Sequence, residues 1–222
     1  MAETQFSAFV GSFPPTADVV GVDADALAKE ARTAFDVRLP ALLVDLWREC
    51  GAGYFGSDGE LCLFADKRHR GRASLLEWNS EPFWAEVFPK PNAGGPLFFG
   101  ETAFGDQLGF RWEGGRCRFV LFVVDCFDLL MMTEDAEEFF FHLLPDRSAL
   151  FEPGLYEEVR SRLGPPPRGM HYVPAVSPST GGSQSSENYL LGPARVHVID
   201  AILLQRSVRS GGERQGDREG VL

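Results

Sequence analysis

Apolar residues recur at helical spacing in two segments near the start of the chain. The first follows Asp23, a residue type that caps helix N-termini, and its pattern predicts a helix over about residues 23–35. The second is L-P-A-L-L-V-D-L-W-R-E-C, which has Pro40 at a plausible first helical position and ends at Gly51. Similar patterns predict further helices over residues 80–88, 153–163 and 193–206.

Short runs of β-branched and aromatic residues fill the middle of the chain and predict strands. They are E-L-C-L-F, P-L-F-F-G-E-T-A-F, Q-L-G-F-R-W, C-R-F-V-L-F-V-V-D and F-D-L-L-M-M. The tetrapeptide E-G-G-R is typical of a hairpin turn, and T-E-D-A-E-E-F-F-F-H-L-L begins with a capping Thr and continues as a helix. Together these segments predict an α+β fold, in which an antiparallel meander is closed by a helix.

The composition supports one large domain. The 222 residues are 44% hydrophobic and include 19 Phe, enough for a substantial core. We assign residues 1–206 to a single domain with its core in residues 23–206. From residue 207 the sequence R-S-G-G-E-R-Q-G-D-R-E-G has no periodic apolar residue, so residues 207–222 are expected to form a disordered tail.

The chain is acidic, and its charge is unevenly distributed. The net charge of −11 predicts repulsion from nucleic acid and from anionic membranes, and favours a basic protein partner. Residues 125–158 contain ten acidic residues and one base, Arg147, whereas residues 67–72, K-R-H-R-G-R, are expected to form an exposed basic loop.

The cysteines and the N-terminus indicate a cytoplasmic protein. The four cysteines form no C-x-x-C pair and lie in apolar surroundings, as buried free thiols of a reducing compartment do. M-A-E-T-Q-F-S lacks the features of a secretory signal, and the longest apolar run, F-V-L-F-V-V, is too short to cross a bilayer.

Sequence motifs of catalysis are missing, which favours a binding protein over an enzyme. G-E-T-A-F-G-D-Q-L-G matches no phosphate-binding loop, and no G-x-S-x-G elbow occurs. The histidines are scattered, and His142 and His197 fit packing or surface roles in helices. We therefore predict no catalytic residue, metal or cofactor. One alternative stays open, a hydrolase with paired carboxylates, because any of Glu101, Asp106 and Glu113 could meet another carboxylate in the fold.

Three segments in order resemble one bacterial family. They are L-P-A-L-L-V-D-L-W-R-E-C-G-A-G-Y-F with the following E-L-C-L-F, then E-T-A-F-G-D leading into F-R-W, and finally Y-V-P-A-V followed by Gly181-Gly182, Glu187-Asn188 and His197. This pattern resembles the GAD-like immunity proteins and the wider SUKH superfamily over about residues 39–204. The region from Ala65 to Pro96 and the Ser-rich spacer after Pro174 depart from it.

The resemblance implies an α+β fold with a central, mainly antiparallel sheet flanked by helices. It also implies an antitoxin that binds a cognate toxin of a polymorphic or type VI secretion system, for example a nuclease, and blocks its active site without chemistry of its own. A regulatory protein-interaction scaffold of the SUKH type is the alternative. On the acidic surface expected to meet a basic toxin, the candidate partner-binding residues are Asp58, Glu60, Glu101, Asp106 and Glu113.

Overall fold

The computed structural model describes residues 4–69 and 71–216, with side chains up to residue 207. Six strands form one antiparallel sheet in which every strand pairs with its sequence neighbours. They are β1 (Gly53–Phe55), β2 (Leu61–Leu63), β3 (Leu97–Thr102), β4 (Gln107–Glu113), β5 (Arg116–Val123) and β6 (Asp128–Thr133). The predicted meander and the α+β class are confirmed.

Two further strands form a separate hairpin. β7 (Met170–Pro174) pairs with β8 (Tyr189–Pro193), and the Ser-rich segment between them is the connecting loop. The Tyr172 amide donates a hydrogen bond of 2.9 Å to the Ala103 carbonyl, so the hairpin is attached to the turn that follows β3. The sequence pattern did not predict this hairpin, because Gly and Pro interrupt its short strands.

The helices vary widely in length. The α-helices are α1 (Ser7–Ser12), α2 (Ala24–Phe35), α3 (Ala41–Cys50), α4 (Leu75–Asn79), α5 (Ala136–Glu138), α6 (Arg147–Leu150), α7 (Pro153–Leu163) and α8 (Ala194–Gly216). Short 3₁₀ turns lie at Pro82–Glu86, Pro91–Ala93, Pro178–Thr180 and Ser186–Asn188, and a π-helical turn at Phe139–Leu143 continues α5.

Several predicted helices are confirmed, with changes at their ends. The Asp23 carboxylate caps α2 by accepting a hydrogen bond of 3.0 Å from the Ala26 amide. Pro40 lies immediately before α3 and not inside it. The helix predicted over residues 80–88 is only a 3₁₀ turn.

Two predicted helix boundaries in the second half of the chain are corrected. Asp135, not Thr133, caps α5, because its carboxylate accepts hydrogen bonds from the amides of Glu137 and Glu138. α8 continues past the predicted end at residue 206 as far as Gly216. A helix propagates readily into a polar segment once its first turns are packed in place. Residues 217–222 of the expected disordered tail lie outside the described residues.

The core consists largely of aromatic side chains. Phe119 stacks on Phe139 with ring centroids 4.4 Å apart, and Trp84 lies 4.7 Å from Phe98. Buried aromatic rings contribute large apolar areas, and their pair geometry adds about 0.5–1.5 kcal/mol per pair. Most of the phenylalanine side chains therefore lie in the core of the protein.

The two outer strands of the sheet have different surroundings. Residues 14–20 run alongside β1 and form bridges at Pro15 with Phe55 and at Val20 with Ala52. β6 lies at the other end, and β5 is its only strand partner among the described residues. One edge of the sheet is therefore covered and the other is open.

Candidate functional site

Five polar side chains in contact with one another lie buried beside the aromatic core, and we call them the polar chain. Glu101 accepts a hydrogen bond from Arg72, and its Oε1 lies 3.2 Å from His171 Nε2. His171 Nδ1 lies 3.3 Å from His197 Nδ1, and His197 Nε2 lies 2.7 Å from Asp125 Oδ1. Each of these side chains is at most 11% exposed.

The fold assembles the polar chain from five separate segments. Arg72 precedes α4, Glu101 lies in β3, His171 in β7 and His197 in α8, while Asp125 lies in the turn between β5 and β6. Sequence spacing could not reveal this arrangement, because no two members share an element. The sequence instead predicted an exposed basic loop that included Arg72, and that prediction is wrong for this residue.

Glu101 and Arg72 form a buried ion pair. Burial disfavours the charged carboxylate, but the Arg72 guanidinium and His171 outweigh burial and lower the pKa of Glu101. The guanidinium carbon lies 4.8 Å from the centroid of the Trp78 ring, a cation–π contact. Gln107 connects the pair to the core, since its amide oxygen accepts from Trp78 Nε1 at 2.7 Å.

The two histidines approach so closely because residue 105 is glycine. A Cβ atom at Gly105 would lie 2.6 Å from His171 Nδ1 and 2.8 Å from His197 Nδ1, and the residue has a φ of +85°. Burial lowers the pKa of His171, although Glu101 opposes this effect. Because two unprotonated nitrogens would repel each other at 3.3 Å, one of the two Nδ1 atoms carries a proton.

The carboxyl group of Asp106 lies beside the Asp125 end of the polar chain. Burial, together with the charge of Asp125, raises the pKa of Asp106 to about 8. Its Oδ1 accepts a hydrogen bond of 3.0 Å from the Val124 amide. Asp125 lines two neighbouring cavities of about 280 and 290 Å³, and Asp106 lines the second of these.

The chemistry available at this site is that of acids, bases and hydrogen bonds. Ser177 Oγ, at the smaller cavity, donates to the Asp125 backbone carbonyl and not to a histidine. Burial raises the pKa of Cys62 to about 12, so this thiol stays protonated. Among the described residues, no cluster of His, Cys, Asp and Glu side chains could hold a metal ion.

The five candidate partner-binding residues do not form one acidic surface. Glu60, Glu101 and Asp106 are buried, and Glu60 Oε2 lies 2.8 Å from Arg147. Asp58 is paired with Arg160.

The fifth candidate, Glu113, lies at the β4–β5 hairpin, half exposed and 2.6 Å from Arg118. Glu101 is paired with Arg72, and a hydrolytic role of Glu101, Asp106 or Glu113 stays a prediction. A role of these residues in partner binding stays a prediction.

Sequence reasoning missed the functional potential of three residues in particular. His171, His197 and Asp125 form consecutive contacts, yet they lie far apart in the sequence. His197 was expected to be a packing or surface residue of a helix. It is buried, but its side chain also contacts Asp125, which the sequence did not indicate. The glycine in E-T-A-F-G-D was the one local signal, because a glycine between strands indicates a close approach of other atoms.

Most of the acidic charge lies on the surface. Of the ten acids in residues 125–158, only Asp125 is shielded, and the other nine are exposed: Asp128, Glu134, Asp135, Glu137, Glu138, Asp146, Glu152, Glu157 and Glu158. Five of these lie in β6 or just after it. On β6 itself, Leu130 and Met131 are 44% and 56% exposed. We call β6 and the acids from Asp128 to Glu138 the acidic edge.

Comparison with known proteins shows the fold of the chain. No protein-family model matches the sequence, and no curated protein matches it significantly. Among solved structures, the chain is similar to the crystal structure of Atu4351 from Agrobacterium tumefaciens, with a TM-score of 0.62 and 16% identity over 89% of this chain and 88% of that one. At this identity the similarity extends to the fold alone.

The described helices include none with the length and apolar content required to span a membrane.

Proposed function

We propose that this protein is an immunity protein that binds a basic toxin through the acidic edge and blocks its activity. One observation carries the proposal: an open, apolar strand edge lies among exposed acidic residues.

Open edge strands are usually protected, because their free amides and carbonyls can pair with a strand of another protein. β6 has no strand on its outer side among the described residues, and it presents Leu130 and Met131 to solvent. An extended segment added to such an edge gains main-chain hydrogen bonds, and side-chain contacts supply specificity. β6 is therefore suited to receive a strand from a partner.

The charge of the acidic edge selects the partner. Asp128 and Glu137 are exposed and form no ion pair with a described residue, so their charge is available to another protein. A second copy of the chain would bring a like-charged edge to this surface, whereas a basic segment is attracted to it. Nucleases carry basic surfaces to hold phosphates, so a nuclease toxin fits this requirement.

The family resemblance supports the same proposal from independent residues. The ordered segments from L-P-A-L-L-V-D-L-W to Y-V-P-A-V resemble those of GAD-like and SUKH immunity proteins. The α+β fold with its antiparallel sheet agrees with the fold that this resemblance implies.

A carboxylate-dependent hydrolase is the second candidate. One observation favours it, because Asp106 has a raised pKa next to Asp125 at a cavity, as acid catalysts often do. Hydrolysis of a small polar substrate by the purified protein, lost in Asp106→Asn, would support this candidate over the first.

The test is a protection assay in bacteria with the product of the gene adjacent to this one. We expect that product alone to stop growth and co-expression of this chain to restore it. Met131→Lys should reduce protection at least tenfold, because a cation on β6 repels a basic segment. Leu203→Lys is the matched control, since Leu203 is similarly exposed but lies on α8.

Two results would overturn the proposal. One is an adjacent product that is harmless to cells lacking this chain. The other is equal protection by the Met131→Lys and Leu203→Lys proteins, which would show that the acidic edge is not the docking surface.

A further inference from the structure

We infer that the 290 Å³ cavity at Asp106 and Asp125 binds an ammonium or guanidinium group carried on a short aliphatic stem. The inference rests on the lining of this cavity and does not depend on the proposed immunity function.

The charge of the cavity wall favours a cation. Three acidic residues line it, Asp106, Asp125 and Glu152. Among the described residues, no Lys, Arg or His side chain lines the same wall. The Glu152 carboxylate already caps α7 and Asp125 contacts His197, so Asp106 is the acid left to receive a cation.

The apolar part of the wall fits the stem of such a ligand. Phe104, Phe151 and Tyr189 line the cavity, and the Phe104 and Tyr189 rings lie edge to face with centroids 5.3 Å apart. Aromatic faces attract cations and also bury methylene groups. The volume lies at the lower end of the range for small-molecule sites, which limits the ligand to a few carbon atoms beyond its charged group.

Asp106 offers an unused acceptor inside this cavity. The residue is 8% exposed, and its Oδ1 is bonded to the Val124 amide. No described residue donates a hydrogen bond to its Oδ2. This oxygen is therefore free to accept a hydrogen bond from a ligand N–H group.

Binding should displace a proton from Asp106. With a pKa of about 8, the empty site holds Asp106 mostly protonated at pH 7. A bound cation favours the carboxylate, so the proton leaves. The other titratable groups at the cavity are Asp125, Glu152, Cys126 and Tyr189, and His197 contacts Asp125 from α8. Affinity should therefore rise with pH up to about 8.

The polar chain fixes the second carboxylate. His197 Nε2 holds Asp125 Oδ1 at 2.7 Å, and Ser177 holds the Asp125 backbone carbonyl at 2.8 Å. Asp125 is thus oriented before a ligand arrives, which lowers the entropic cost of binding. His197 is a positioning residue in this scheme.

Two sources present the required chemistry, a free amine and a basic side chain of a protein. Titration calorimetry at pH 7 with butylamine and butylguanidine tests the first source, and the peptide acetyl-Gly-Arg-Gly-amide tests the second. We expect at least one probe to bind and to release close to one proton, measured in buffers of different ionisation enthalpy. The affinity should increase about tenfold from pH 6 to 7 and about fivefold from pH 7 to 8. Binding of the peptide alone would assign the site to a protein side chain.

Variants connect the binding to Asp106. Asp106→Asn should weaken binding at least tenfold and abolish proton release, whereas Glu30→Gln, which removes an exposed acid on α2 outside the cavity, should change neither. Thermal unfolding of each variant checks its fold, and proton release by the unaltered protein needs no variant. If none of the probes binds at a concentration of about 10 mM, the inference is overturned, because specific ligands ordinarily have dissociation constants below this value. Binding without proton release would also overturn it.

Discussion

The two edges of the six-stranded sheet differ in how they meet solvent. At β1, residues 14–20 pair with the outer strand, and all three β1 residues are buried. At β6, no described strand covers the outer side, and Leu130 and Met131 are exposed. The protein thus covers one edge with its own N-terminal segment and leaves the other free, and this contrast locates the proposed docking surface on β6.

The covered edge depends on close backbone contact. The Val20 amide donates to the Ala52 carbonyl at 2.8 Å, and the Ala52 amide returns a bond of 2.9 Å to Val20. Phe9 of α1 adds an aromatic contact with Phe55 at 5.2 Å. Covering an edge in this way satisfies its backbone groups and prevents pairing with other chains.

Disrupting the covered edge should have the largest effect on stability. Gly53→Ala would place a Cβ atom 2.4 Å from the Asp18 carbonyl oxygen, at a φ of +124°. We expect a loss of about 3 kcal/mol or more in the free energy of unfolding, measured by urea denaturation, because both strain and a backbone clash result. Gly21→Ala, which would meet no atom within 4 Å, should change stability by less than about 1 kcal/mol. Equal losses in the two variants would contradict this view of the covered edge.

A smaller loss is expected from a single hydrogen bond of the same segment. Thr16 Oγ1 donates to the Tyr54 carbonyl at 2.8 Å and accepts from the Asp18 amide at 3.2 Å. Thr16→Val removes both bonds and should cost about 1–2 kcal/mol by the same measurement. Thr33→Val serves as the control, because Thr33 bonds only to a carbonyl of its own exposed helix and should cost less than about 0.5 kcal/mol. If the Thr16 variant is as stable as the control, the Thr16 hydrogen bonds do not hold residues 14–20 against β1.

A substitution at the open edge should have the smallest effect on stability. Met131→Lys alters a side chain that is 56% exposed, and we expect a change within about 0.5 kcal/mol in the free energy of unfolding. The same variant is expected to lose protection against the toxin, so stability and function separate at β6. A large destabilisation would mean that Met131 serves the fold of the protein instead of a partner.

The sheet was predictable from the sequence, and the site was not. β3 to β6 are rich in aromatic and β-branched residues and are joined by tight turns, so local pattern defined both strands and order. β1 is not among the predicted strands, because its three residues begin at a glycine and only the pairing with β2 makes it a strand.

The polar chain depends on contacts between distant segments. His171 and His197 are 26 residues apart in sequence, and Arg72 stood in a basic run that suggested an exposed loop. Charge and periodicity describe a residue by its neighbours in sequence. Arg72 can be buried because it pairs with Glu101. Glu101 lies 29 residues away in sequence, so neither the local charge nor the local periodicity around Arg72 indicates this pairing.

The contact between the two histidines makes the polar chain one proton short. Two neutral imidazole rings carry two N–H groups, while the chain has three positions for a proton: between His171 and Glu101, between the two rings, and between His197 and Asp125. If protons fill the second and third positions, the lone pair of His171 Nε2 faces Glu101 Oε1 at 3.2 Å, and a hydrogen bond there needs a third proton. The tautomer of one ring therefore dictates that of the other, and the two ends of the chain cannot change their protonation independently.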